Sequence, residues 1–229
     1  MINNIDKLTL AVSILIVATV YTLDCLYIDT EMLQTPMVSY ERLEDIANTG
    51  DLIIFRWNII DAGFRMFSKF SHVGMVIKHK DKLYLLETHP KENLQSNIDD
   101  SGVHLYCLKK RLEEYNGTYY FTQLKTLNIT REKIRNHVLQ NLKRYKKEIP
   151  FDTNFRNIFV LNFFCNLFGI TLPKREAMFC SEFIATVLQE CNIYKHHKNL
   201  SSINPGTFLE FKKNNGKELY GPLYYIIIS

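Results

Sequence analysis

The chain is short of the residues that keep a polypeptide loose. Only 9 Gly and 6 Pro occur in 229 residues, which leaves little room for long flexible linkers. With 46% apolar and 23% charged residues, the composition excludes a disordered or collagen-like chain and requires a packed core. Charge of one sign is scarce as well. Twenty-eight Lys and Arg against 24 Asp and Glu leave a net +4, too little to make nucleic acid the default partner where no nucleic-acid motif is present. Cysteine is sparse and odd in number. Cys25, Cys107, Cys165, Cys180 and Cys191 lie far apart, with no Cys-x-x-Cys pair and no Cys/His cluster at zinc-ligand spacing. Neither a disulfide framework nor a metal or other cofactor is expected. Internal repeats and low-complexity segments are also missing.

What is present begins with Leu8–Leu23, a charge-free and mostly apolar run. As a helix it would reach about 24 Å, and tilt or local thinning brings it within range of a hydrocarbon core of about 30 Å. A single-pass anchor over residues 1–26 is therefore expected. A cleaved signal fits less well, because Asp24 and bulky neighbours stand where small residues belong; a buried helix is the remaining alternative. Lys7 before the run and Asp24, Asp29 and Glu31 after it direct the domain outward, whereas a reactive free thiol suits reducing surroundings. The sequence leaves the side of the membrane open. Residues 27–40 carry Pro36 and no periodicity and read as a tether, so the folded domain is expected over 41–229.

Within that domain, helices are expected at Tyr40–Ala47, Ile59–Phe67 and Leu108–Tyr115. Strands are expected at Asp51–Trp57, His72–Ile77, Leu83–Thr88, Val103–Leu108 and Thr118–Leu124. The polar turn His79-Lys80-Asp81-Lys82 joins two of these strands into a hairpin. Arg131–Lys147 is amphipathic, with Ile134, Val138, Leu142 and Tyr145 on one stripe. Between 131 and 156, eight Lys or Arg face three acids. That excess marks either a solvated face or a contact with anionic lipid or phosphate.

The chemistry centres on Cys180. It heads a stripe of Phe183, Ile184, Val187, Leu188 and Cys191 at helical spacing, and a thiol at a helix N-terminus has its thiolate stabilised by the backbone dipole. Cys107, Cys165 and Cys191 read as small buried hydrophobes. A nucleophilic thiol needs a base within hydrogen-bond reach. His79 lies in a turn, His137 on the helix and His196-His197 in a polar loop. His72 instead opens a strand whose other face (Val73, Met75, Ile77) is apolar, and Gly74 on its own face would let a helix approach closely. His104, inside another strand, competes with it. The acceptor that orients the imidazole should come from the neighbouring strand. With Lys80-Asp81 as a two-residue turn, paired residue numbers sum to about 161, which puts Glu87 opposite Gly74 and diagonal to His72; a one-residue slip would present Thr88 instead.

These pieces, in this order, carry a resemblance. Thr49-Gly50-Asp51, Ser71–Ile77, Leu85–Pro90, Ile149–Asp152 and Phe179–Phe183 together resemble the circularly permuted papain-like cysteine hydrolases, the YiiX-like branch of the NlpC-type superfamily, which has viral members. The match runs from residue 49 to about 191, and Asn204-Pro205 is similar to the short motif after that family's nucleophile helix. The resemblance implies an α+β domain in which a small antiparallel sheet or partly closed barrel packs on the nucleophile helix. It also implies Cys180 as nucleophile, His72 as base and Glu87 as the residue orienting it. Gly50-Asp51 would be the strand-opening turn and Glu182 the acid of the Cys-Ser-Glu signature. The apolar stretch Phe155–Ile170 is longer than the family pattern, and reads as a buried helix or an acyl-binding or membrane-dipping wall.

The sequence therefore points to a thiol hydrolase cleaving an amide or peptide bond through an acyl-thioester. A lipid acyl hydrolase or acyltransferase is the second possibility, and a non-catalytic membrane module that keeps the fold is the third. The expected partners are an amide, peptide or lipid substrate, the membrane through the N-terminal helix, and anionic lipid at the 131–147 helix, but no nucleic acid.

Overall fold

Two left-handed residues fix the centre of the fold. In the computed structural model Lys80 and Asp81 have φ of 49° and 59°, the two-residue hairpin geometry whose twist matches that of the strands it joins. The strands beside that turn, β3 (His72–His79) and β4 (Lys82–His89), pair Met75 with Leu86 and Val76 with Leu85, so the register sums to 161. The structure describes residues 34–56, 70–89, 102–149, 178–195, 200, 203–212 and 216–228. Residues 1–35 and 36–229 form two separate units, and all the elements below belong to the second. Leu8–Leu23 and the expected helices at 59–67 and 155–170 lie outside the described residues.

Around the hairpin, the remaining elements in chain order are β1 (Met37–Ser39), α1 (Tyr40–Ile46), β2 (Leu52–Arg56), β5 (Gly102–Cys107), α2 (Leu108–Glu113), β6 (Thr118–Leu124), α3 (Asn128–Glu148), α4 (Cys180–Glu190), a 3-10 helix at Pro205–Glu210 and β7 (Tyr220–Ile227). The sheet has seven strands among the described residues, ordered β1-β7-β6-β2-β3-β4-β5. This corrects the small antiparallel sheet or barrel expected from sequence: the sheet is larger, its edges are β1 and β5, and β1 runs parallel to β7. The reason is local. Met37–Ser39 lies in the stretch read as tether, and three residues after a proline show no period. Gly221-Pro222 and an irregular register against β6 conceal β7. Pro222 is tolerated because β1 pairs only with Tyr225–Ile227, so that flank of Pro222 needs no donor.

Helices cover both faces of this mixed α/β arrangement. On one, Ile53, Phe55, Val76, Leu85 and Phe121 pack with Tyr40 and Leu43 of α1 and Leu108 and Leu112 of α2. Alternation sends Leu52, Ile54, Met75 and Ile77 to the other side, where they are equally buried. There α4 lies against β3 and β4; its Phe183, Ile184, Val187 and Leu188 are fully buried, each contributing roughly 1.5–3 kcal/mol. No helix among the described residues is long and apolar enough to cross a membrane.

Asp51 ties three of these elements together. Its buried carboxylate accepts from Asn48 N (2.8 Å), Leu124 N (2.9 Å) and Arg131 Nη1 (2.6 Å), joining the start of β2, the end of β6 and the first turns of α3. Gly50 beside it has φ +93°, and a Cβ there would meet Leu124 at 2.7 Å. The Gly-Asp pair thus serves as a structural clamp.

Candidate active site

Cys180 is the first residue of α4 and is buried. Its N-cap, Phe179, is extended and supplies no side-chain acceptor to the first turn. The helix start is held from the side instead: Ser181 Oγ donates to Ile203 O at 2.5 Å. Asn204 and Thr207 close a reciprocal capping box on the following 3-10 helix. Gly206 of that turn faces the Phe70 ring, two residues before His72. The Asn204-Pro205 segment therefore buttresses the stretch that leads into β3.

His72 opens β3, anchored by Ser71, whose N and Oγ both donate to Phe55 O (2.9 and 3.1 Å). Its ring lies 5.3 Å from the Phe55 ring. The His72 Nε2 to Glu87 Oε2 distance is 2.6 Å, and the Cys180 side chain is near enough to act on the same imidazole. With Nε2 committed to the carboxylate, Nδ1 is the nitrogen left for the sulfur. Burial by itself pushes the His72 pKa down. The sulfur of Cys180 and the Glu87 carboxylate outweigh it and raise the pKa to about 9.

Glu87 is fully buried in β4. Burial pushes its pKa up, but the Arg111 guanidinium and the His72 ring reverse that and hold it at about 2. Arg111, on α2, was not singled out from the sequence. Its Nε donates to Glu87 Oε1 and its Nη2 lies 3.5 Å from Oε2, with the side chain only 5% exposed. Nη1 is buried without a hydrogen-bond partner. The flat cation instead lies 5.3 Å from the Phe55 ring and 5.5 Å from that of Tyr115, whose negative faces offset part of its desolvation. One signal in the sequence did point to it: Leu108, Arg111, Leu112 and Tyr115 fall at i, i+3, i+4 and i+7, so the arginine stands on the apolar stripe.

Three expectations about individual residues change. Gly74 makes room for Leu85, whose Cδ1 would lie 2.7 Å from an added Cβ, and not for the Cys180 helix. Cys107 is exposed, because it ends the edge strand β5 and serves as the N-cap of α2. His104 of β5 pairs with Glu87 of β4 but stacks on His89 at 4.5 Å and on Tyr106 at 5.3 Å. Cys191 is buried as expected, and burial raises its pKa to about 11.

No cluster of three or more His, Cys, Asp or Glu side chains suited to a metal occurs among the described residues. What the arrangement offers is an acid–base chain of alternating groups: cation, carboxylate, imidazole and thiol. Such a chain can move a proton off sulfur without leaving an unbalanced buried charge.

No family model matches the chain. An uncharacterized protein, R372, of Acanthamoeba polyphaga mimivirus is 25% identical over 185 residues, spanning 70% of this chain and 73% of that protein. Among solved structures, the metalloprotein YiiX from Escherichia coli O157:H7 is 19% identical and covers 79% of this chain and 96% of its own, with a TM-score of 0.42.

Proposed function

We propose that the protein is a cysteine-dependent hydrolase acting on an amide or peptide bond, with Cys180 as nucleophile, His72 as base and Glu87 as the residue that orients and charges the imidazole. The observation that carries the reading is the Cys180 side chain beside an imidazole that Glu87 holds by the 2.6 Å Nε2–Oε2 contact. His72 Nδ1 takes the thiol proton, and the thiolate adds to the carbonyl carbon. As the C–N bond breaks, the imidazolium returns that proton to the leaving amine, leaving an acyl-thioester. Water, deprotonated by His72, then displaces the sulfur and releases the carboxylic acid. Backbone N–H groups at the start of α4, uncapped by a Phe179 side chain, suit the developing oxyanion. A lipid acyl donor, with the same sulfur and base, is the second reading, favoured by the apolar run Leu8–Leu23.

The deciding experiment is mass-spectrometric mapping of cysteine alkylation at neutral pH. Among the described cysteines exposure alone ranks Cys107 first, since Cys180 and Cys191 are buried. An activated thiolate puts Cys180 first, and His72→Ala then slows Cys180 while leaving Cys107 unchanged. Labelling in the order of exposure, or indifference to His72→Ala, would leave the fold without thiol chemistry.

A further inference from the structure

Helix α3 carries a feature that neither the core nor the thiol site uses. Its N-cap is Leu127, which makes no capping bond and is 74% exposed; Ile129, two residues on, is 73% exposed. An N-cap normally carries a short polar side chain that satisfies the first-turn N–H groups. Leu127 neither caps nor packs, and Ile129 makes no core contact either.

The charges beside them are ordered. At 3.6 residues per turn, Ile129, Lys133, Asn136, Gln140, Lys143 and Lys147 fall within roughly 40° of the direction opposite the buried Val138. All six are exposed. The acids nearby are Glu132, which lies 4.0 Å from Arg135, and Glu148. Arg144, itself exposed, lies to one side of this face and reaches toward α4, 3.4 Å from Glu190 and over the Tyr145 ring. The outer stripe is therefore three lysines and two amides with the bare Ile129 at one end, over about 30 Å of helix, and the exposed Leu127 stands beside that end as the N-cap.

We infer that this outer face of α3 lies flat on an anionic lipid surface, with Leu127 and Ile129 inserted among the acyl chains and Lys133, Lys143 and Lys147 over the headgroups. Two observations commit the face to lipid. The exposed large apolar residues of this helix are only Leu127 and Ile129, at one end, too few for the apolar face of a protein segment. The lysines bear flexible ammonium groups spread along the helix, suited to a diffuse negative surface and unlike a focused anion pocket. The inference does not depend on the thiol chemistry.

Trp57 is the only tryptophan in the chain, which supplies the test. In the full chain, Trp57→Phe with Ile129→Trp makes residue 129 the sole reporter, and Leu127→Trp in the same background repeats the measurement one turn end earlier. The protein is mixed with lipid nanodiscs of phosphatidylcholine, with or without phosphatidylserine. The expected result is a blue shift of emission and its loss on bromination of the acyl chains in the anionic discs. Both signals should weaken in high salt and disappear in the Lys133→Gln/Lys143→Gln/Lys147→Gln variant, whose changes are all on exposed residues. Emission equal in the two disc types, or unaffected by removing the lysines, overturns the inference. A blue shift that grows with protein concentration in the absence of lipid would assign the face to a second copy of the chain, and overturns it as well.

Discussion

Arg111 Nε holds the Oε1 oxygen of Glu87, while His72 takes Oε2 at 2.6 Å with only the longer 3.5 Å reach of Arg111 Nη2 beside it. The division gives the carboxylate a fixed plane and a permanent charge, so the imidazole meets an acceptor that cannot rotate away. In the proposed reaction Arg111 is a positioning residue that acts through Glu87. Removing one member of a buried pair strands the other, at about 3–5 kcal/mol. Arg111→Gln should destabilise by that order in urea unfolding, and should also let the Glu87 pKa rise from about 2. Glu87 has a folded pKa below its ordinary 4.5, so its stabilising contribution is complete above pH 4.5 and fades as pH falls toward 2. In Arg111→Gln that acid loss should begin at higher pH. Arg111→Lys restores the charge but not the two-nitrogen fork, and should recover the acid limb better than the thiol reactivity.

His72 gives the opposite slope. Its folded pKa, about 9, lies above its ordinary 6.5, so its contribution is complete below pH 6.5 and is lost as pH rises through 9. Wild type should lose about 3 kcal/mol over that window through this group, and His72→Ala should lose much less. The raised value owes more to Cys180 than to Glu87. Cys180→Ser should therefore lower the imidazole midpoint in an NMR titration while leaving the fold intact. A midpoint that stays near 9 in Cys180→Ser would remove the sulfur from the site.

Which parts of this arrangement could be read from the sequence follows from the range of each interaction. The His72–Glu87 diagonal was legible because a two-residue turn and a side-chain period of two leave one register once a face is buried. The α4 stripe was legible for the same reason at a period of 3.6. Arg111 was concealed by its neighbours: beside Lys109 and Lys110 it reads as solvated, and its place on the apolar stripe acquires meaning only once Glu87 is known to need a second donor. The β1–β7 pairing joins segments almost at opposite ends of the chain, and no local period encodes a partner that far away. Gly74 shows a limit of another kind. A helix was expected to approach there, but a side chain of the same sheet, Leu85, fills the space, and sequence offers no way to choose between the two.

The last prediction concerns where the domain starts. Residues 36–229 form a unit of their own, and its first strand is Met37–Ser39, which covers β7 through Met37↔Tyr225 and its neighbours. Val38 and Tyr40 are buried, and Tyr225 N donates to Pro36 O at 2.9 Å. Deleting residues 1–35 should therefore leave a soluble protein that unfolds cooperatively and keeps the selective labelling of Cys180. Deleting residues 1–40 removes β1 and Tyr40 together. It uncovers the β7 backbone edge, which invites edge-to-edge pairing, and it empties two core positions at about 2–5 kcal/mol for each large side chain lost. The shorter protein should aggregate or unfold at markedly lower urea, whereas the 36–229 protein should not. Equal behaviour of the two truncations, in urea unfolding and in light scattering, would mean that the strand contributes nothing and that the domain begins after it.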